Sequence, residues 1–310
     1  MSVADDTARS KPAVLVLTTV HRADDRRIRE KTIRTLNREF EVYYATKPPR
    51  PSDTDGITWI ALPRCRAVRV FYSLGVIARL RPDIVSLHDP ELIPLAFLCS
   101  SGGGTAVVFD VHENIPEHML LKHRIPKSAR RALAYAFSWL LRAGERCFTI
   151  TLAESGYNTL FRANHPVIAN YLPPDLPPVV ARDDGRIVYC GDVSVERGLD
   201  VAIRAVAAMR RPAPLRLIGR VLDGSGRYLR RLAHRLGVEL ELTGVLPFGA
   251  AMQKLASARL AVSPWRDLPN YRDSFPTKLL EYLALGVPFV ASDLPGTRSI
   301  VAPLTGALLV

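Results

Sequence analysis

The sequence predicts an α/β protein built as two doubly wound domains, each a parallel sheet with helices on both faces. Three observations predict it. Short apolar, β-branched runs alternate with helix-like stretches along nearly the whole 310-residue chain. A proline-rich segment interrupts that alternation in the middle. Polar and charged residues gather just after the apolar runs, at the carboxyl ends of strands, where open sheets hold ligands.

The elements follow in order. "AVLVLTTV" (13–20) is continuously apolar, as a buried parallel strand is. "DDRRIREKTIRTLNRE" puts Ile28, Ile33 and Leu36 roughly on one face and predicts a helix. "EVYYAT" (41–46) is a second strand, so the chain opens β-α-β. "DIVSLH" (83–88) and "TAVVFDVH" (105–112) are further strands, 128–146 is a helix, and "CFTITLAES" (147–155) is a strand running into a loop. "NYLPPDLPPVVARDDGR" (170–186) holds four prolines and reads as a linker. The predicted organisation is a first domain over 1–170, a linker over 171–185 and a second domain over 186–310. Strands in the second domain are expected at 186–191, 215–219, 239–244, 260–264 and 288–293, with "GALLV" (306–310) as a last one. Ligands are expected in a cleft between the domains.

A hydrophobic fraction of 48% supports real cores and argues against general disorder. The net charge is +12, which calls for an anionic partner. Residues 1–170 carry 24 Lys and Arg against 17 Asp and Glu, and the rest 18 against 13, so the excess is no basic tail. Neither a helix-turn-helix signature nor an aromatic RNA-binding box stands out, and nucleic acid is not expected as a partner. No apolar run approaches the roughly 18 residues of a spanning helix, and the first residues lack an apolar signal core. Cys65, Cys99, Cys147 and Cys190 are scattered and read as reduced thiols. The expected location is cytoplasmic.

The strand ends carry the candidate chemistry. Strand one ends in Thr18, Thr19 and His21, without the glycines that a nicotinamide or flavin cofactor requires. The candidate third strand ends in "HDPELIP" and the fourth in "FDVHENIPE". They bring His88 with Asp89, and His112 with Glu113, to one sheet edge. A histidine at a strand end is equally a hydrogen-bonded loop residue. No H-E-x-x-H motif or thiolate set completes a metal site, so no metal is expected. In the second half, "YCGDVSVERG" sets Arg197 at a helix start, where a cation can clamp a diphosphate.

"DSFPTKLLE" (273–281) places Asp273 and Glu281 at the two ends of a helix start. Pro276 suits a first helical turn, and Gly286 a left-handed cap with Pro288 beyond. The N–H groups of Thr277, Lys278 and Leu279 would face an anion, and Glu281 shares a helix face with Thr277. The same stretch is equally a capped surface helix.

Together "HRADDRRIREKTIRTL", "LHDPELIP", "FDVHEN", "YCGDVSVERG" and "DSFPTKLLEYLALGVPFVASDLPG" resemble a retaining glycosyltransferase of family 4, with the GT-B fold. They are most similar to members in bacterial capsule and exopolysaccharide pathways. The resemblance runs from about residue 13 to the end. It implies two Rossmann-like domains facing across a cleft, a nucleoside-diphosphate sugar as donor substrate, and no cofactor or metal. Two acidic residues with seven between are the family's hallmark, filled here by Asp273 and Glu281. By resemblance, Glu281 accepts from the ribose. Asp273, with the N–H groups of Ser274 and Phe275, holds the sugar hydroxyls. Arg197 binds the diphosphate, and Thr277 and Lys278 lie by the phosphates. His112 sits beside the reacting sugar, and His21, His88, Asp89 and Glu113 form the acceptor side.

Two departures bear on the donor: Asp192 stands where an arginine is usual, and the first hallmark glutamate is Asp273. The glycine-rich first loop of many relatives is replaced by "TTVHRADDRR".

The expected activity is sugar transfer to a saccharide or lipid-linked acceptor with retention. A nucleotide-sugar 2-epimerase and a non-catalytic nucleotide-sugar-binding protein are the rival readings. A basic, aromatic-flanked helix over 131–146 makes an anionic membrane surface a candidate partner, its apolar side being Leu133, Phe137, Leu140 and Leu141. Equally it is a domain helix with a solvated basic face. Because relatives usually continue past the last strand, the resemblance also implies a second domain truncated at its C-terminus.

Overall fold

The computed structural model describes residues 11–310, apart from 24, 26, 52–53, 55, 121–124, 173–175, 177, 180–182, 223, 273 and 303–307. The chain divides into two compact units, Met1–Asn170 and Tyr171–Val310.

The first unit holds a six-stranded parallel sheet of β1 (Ala13–Leu17), β2 (Glu41–Thr46), β3 (Ile57–Ala61), β4 (Ile84–Leu87), β5 (Ala106–Val111) and β6 (Thr149–Leu152). Its strand order is β3-β2-β1-β4-β5-β6, the doubly wound order that reverses direction beside β1. The second unit repeats this with β7 (Ile187–Cys190), β8 (Leu215–Ile218), β9 (Leu240–Gly244), β10 (Leu260–Ser263), β11 (Phe289–Ala291) and β12 (Leu308–Leu309). Here the order is β12-β11-β10-β7-β8-β9, which is the same pattern read from its own first strand. The fold is α/β, with two Rossmann-like domains.

Each sheet is buried on both faces, which explains why strands such as β1 are apolar at every position rather than at alternate ones. In the first unit one face carries Leu15, Leu87, Phe109 and Leu141, and the other Val14, Val16, Ile28 and Tyr44. The helices Arg66–Leu80, Ile93–Ser101 and Lys127–Gly144 cover the first of these faces.

Three local features differ from the sequence reading. The first helix is π-helical over Arg27–Ile33 before one short α-turn, Arg34–Leu36. Ile28 and Ile33 are both buried but five residues apart, a spacing that an α-helix splays and an i→i+5 helix brings to one face. Ile57–Ala61 and Arg66–Leu80 are additional elements between 46 and 84. On the helix Lys127–Gly144, Leu141 is fully buried but Leu133 is exposed, so the expected apolar side is only partly turned inward.

Candidate functional site

In the first unit, β1, β4 and β5 lie next to each other, with Leu17 paired to Leu87 and Leu87 to Phe109. That register carries Thr18–His21, His88–Asp89 and Asp110–His112 to one sheet edge. Asp89 is buried, and its Oδ2 accepts from Thr18 Oγ1 at 2.8 Å and from the Thr19 N–H at 2.6 Å. His21 Nδ1 lies 3.0 Å from Asp25 Oδ2. His112 Nδ1 lies 3.2 Å from the Asp110 carbonyl oxygen, which can only accept, so Nδ1 carries the proton and Nε2 the lone pair. The two Nε2 atoms of His21 and His112 are 2.8 Å apart. A proton on His21 Nε2 would bridge them. Burial works against charge on His21, but the hydrogen bond and charge of Asp25 outweigh it and raise the pKa. Burial, then the charge of His21, holds His112 below the usual histidine range.

Asp110 completes this edge. Its carboxylate accepts from Arg27 Nε at 3.1 Å, Arg27 Nη2 at 2.8 Å and Thr151 Oγ1 at 3.0 Å, and His88 Nδ1 lies 3.3 Å away. Burial would raise its pKa, but His88 and Arg27 outweigh burial and hold it far below the usual carboxylate range. Glu113 pairs with His118, whose Nδ1 lies 2.6 Å from its carboxylate, and its charge still reaches His21 and His112. The structure thus joins His21, Asp89 and His112 and sets His88 beside them.

In the second unit the site is built from cations and aromatic rings. Gly198 caps the helix Leu199–Ala207 with φ +75°, and a Cβ there would stand 1.7 Å from the Pro264 carbonyl oxygen. Only glycine permits that approach. It brings Arg197 over the rings of Trp265, at 5.8 Å, and Tyr271, at 5.7 Å. Arg197 Nη2 is 3.8 Å from Asp192 Oδ2, while its Nε is buried with no hydrogen-bond partner among the described residues. Asp192 itself is held more closely by Arg220 Nη2, at 3.0 Å.

Lys278 is the second residue of the helix Thr277–Ala284 and is buried. Its ammonium donates to Tyr189 Oη at 3.1 Å and lies 4.2 Å from the Trp265 ring centroid. Among the described residues it makes no salt bridge. Burial first, then the charge of Arg197, pushes the Lys278 pKa well below that of an ordinary lysine. Arg197 and Lys278 share an aromatic floor, and an anion placed between them would favour the charged form of Lys278.

The helix start is closer to its expected form at one end than at the other. Pro276 occupies the capping position just before the helix, rather than its first turn. The Leu279 N–H is bonded to the Pro276 carbonyl at 2.9 Å, so the anion-facing donors reduce to Thr277 and Lys278. At the other end Gly286 has φ +65°, and the N–H groups of Gly286 and Val287 bond to the Leu283 and Tyr282 carbonyls, closing a Schellman motif. Glu281 is buried, and Ser274 and Phe275 are half-buried, with the Phe275 ring edge-on to Tyr171 at 5.9 Å. Asp273 lies outside the described residues.

Tyr189, Trp265, Tyr271 and Arg220 were not singled out from the sequence, and neither were Asp25, Arg27 and Asp110. The signal available for Trp265 was its place directly after an apolar run, in "LAVSPWRD".

Residues 184–310 match the model of a family described as Glycosyl transferases group 1. No curated protein matches the chain in sequence. Among solved structures, sucrose-phosphate synthase from Thermosynechococcus elongatus is similar at 16% identity and TM-score 0.72, over 97% of this chain and 86% of that one. HepE of Anabaena, crystallised with UDP and glucose, is similar at 14% identity and TM-score 0.72, over 97% and 85%. WaaG, a glycosyltransferase involved in lipopolysaccharide biosynthesis, is similar at 14% identity and TM-score 0.70, over 96% and 85%. At such identities the likeness concerns the fold, which is GT-B. The second unit thus matches the model of a glycosyl transferase group 1 domain, in a chain folded as GT-B glycosyltransferases are.

Proposed function

We propose that this protein is a retaining family 4 glycosyltransferase. It moves a sugar from a nucleoside diphosphate to a hydroxyl of a saccharide or lipid-linked acceptor, in cell-surface polysaccharide or glycolipid synthesis. The observation that carries the reading is the pair Arg197 and Lys278, two cations on shared aromatic rings with no salt bridge to Lys278 among the described residues. Departure of the sugar leaves charge on the diphosphate oxygens. Arg197, Lys278 and the N–H groups of Thr277 and Lys278 at the start of their helix would stabilise it, with no metal needed for that step. The complexes of HepE with UDP and UDP-glucose support this choice of ligand class.

Glu281 is assigned to the ribose, and Asp273 with the Ser274 and Phe275 amides to the sugar hydroxyls. No carboxylate stands out as a nucleophile, so a front-face route through an oxocarbenium-like state is preferred to a double displacement. His112 has both ring nitrogens engaged within its own unit, by His21 and the Asp110 carbonyl. Its proposed role is therefore to position the reacting sugar rather than to act as a free base.

The first unit is assigned a contact with an anionic membrane. No helix among the described residues is long and apolar enough to cross a bilayer. The three helices on one sheet face, Arg66–Leu80, Ile93–Ser101 and Lys127–Gly144, contain no Asp or Glu at all. They expose Phe71, Leu98, Tyr135 and Trp139 among arginines, a combination suited to anionic lipid headgroups.

A panel of nucleotide-sugars tests the donor. The right one at a hundredfold its Kd adds about 2.7 kcal/mol of stability, read as a thermal shift. Product analysis with and without acceptor then tests the reaction. Transfer only with acceptor present is expected; a rearranged nucleotide-sugar formed without acceptor would identify an epimerase instead.

A further inference from the structure

We propose that His21, Asp89 and His112 form a binding site for one divalent transition-metal ion, of the zinc type, at the strand ends of the first unit. The three residues arrive on the loops after β1, β4 and β5, and their ligand atoms all lie within 4.8 Å of one another. The separations are 2.8 Å between the two Nε2 atoms and 3.6 Å from His21 Nε2 to Asp89 Oδ1. Tetrahedral zinc with bonds of about 2.0–2.1 Å spaces its ligand atoms by roughly 3.3 Å, between these two values.

The shell behind these atoms is the stronger argument. A metal-bound histidine donates its other ring N–H to a carboxylate or a backbone carbonyl, which fixes the tautomer and aims the lone pair. Both histidines do this here. His21 Nδ1 faces Asp25 Oδ2 at 3.0 Å, and His112 Nδ1 faces the Asp110 carbonyl at 3.2 Å. Asp89 is held in the same manner: Thr18 and Thr19 occupy its Oδ2, leaving Oδ1 directed toward His21. Two imidazoles and one carboxylate oxygen suit zinc and its neighbours rather than magnesium or calcium, which take oxygen ligands. His21 is partly exposed, which provides an entry path and leaves a fourth position open to an oxygen ligand.

The neighbouring set His88, Asp110 and His112 also brings ligand atoms together, but it is a poorer site. Asp110 already accepts from Arg27 and Thr151, so its oxygens are committed to a cation and a hydroxyl.

The test uses the full untagged chain, with Cys65 and Cys147 blocked because both thiols are exposed. The protein is stripped with chelator, then titrated calorimetrically with zinc and spectroscopically with cobalt(II). The expected result is one zinc per chain and visible cobalt bands of a low-coordinate site. Binding should weaken at least a hundredfold in His21→Gln and His112→Gln, and should persist in His118→Gln and His88→Gln. Asp89→Asn, which keeps an oxygen for Thr18 and Thr19, should weaken binding by at least tenfold. Thermal melts of the stripped variants establish that each is folded. Stoichiometric binding that survives His21→Gln, or no binding tighter than in folded His112→Gln, overturns the proposal and leaves the two rings joined by a proton alone. Donor binding in the second unit is measured separately, so failure of either reading is recognised without the other.

Discussion

The two units share one strand order but place opposite electrostatics at their strand ends. In the first, each carboxylate has partners: Asp110 has Arg27, Asp25 has His21, and Asp89 has two threonines. In the second, Arg197 and Lys278 lean on Trp265, Tyr189 and Tyr271, and among the described residues Arg197 has a carboxylate, Asp192, only at 3.8 Å. A common backbone therefore yields one edge whose carboxylates already have partners and one that an anion would complete. The difference comes from a few side chains after each strand, because the sheet fixes only where those side chains emerge.

The comparison breaks most completely at Gly198. A side chain there meets the Pro264 carbonyl in a left-handed backbone region, so Gly198→Val should displace the Arg197 loop. Loss of donor binding and about 3 kcal/mol of stability are expected, by nucleotide titration and urea unfolding. Lys278→Met is next. It should abolish most diphosphate affinity, by about 2–5 kcal/mol, yet leave the fold equally or more stable because a buried charge is removed. A large drop in stability would mean the ammonium is already paired. Glu281→Gln should weaken donor binding by about 1.5–3 kcal/mol, since the ribose loses a charged acceptor. Trp265→Leu removes the floor under both cations and should cost about 0.5–2 kcal/mol in affinity. The smallest effect is expected at the first unit's surface. Tyr135→Ser with Trp139→Ser should reduce sedimentation with anionic vesicles at low salt without changing donor affinity.

Legibility in the sequence followed the range of the interactions. The strands were readable because burial on both faces makes them uniformly apolar, as in Ala13–Leu17 and Ile187–Cys190. Ile57–Ala61 escaped because it is a half-exposed edge strand without such a run. Arg197 and Lys278 could be nominated from local helix starts. Their aromatic floor could not, because Tyr189 is 89 positions from Lys278 and Trp265 follows a different strand, so that the rings meet only through the sheet order β10-β7. The pairing of His21 with His112 has the same cause. Ninety-one residues separate them, and it takes β4, lying between β1 and β5 in the sheet, to bring their loops together.

If Arg197 and Lys278 together bind a diphosphate, binding is linked to the protonation of Lys278. Lys278 has a depressed pKa in the fold, so its charged form is disfavoured there and its contribution to stability falls as pH falls. A bound diphosphate favours the charged form and raises that pKa again. Binding should therefore take up protons, and affinity should fall as pH rises above neutrality. Calorimetric titration of UDP in buffers of differing ionisation enthalpy, at two pH values, reads this uptake. Net proton uptake is expected in the wild type and none in Lys278→Met, whose residual affinity should be independent of pH over the same range. Equal affinity and equal proton uptake in both proteins would contradict diphosphate binding by this pair.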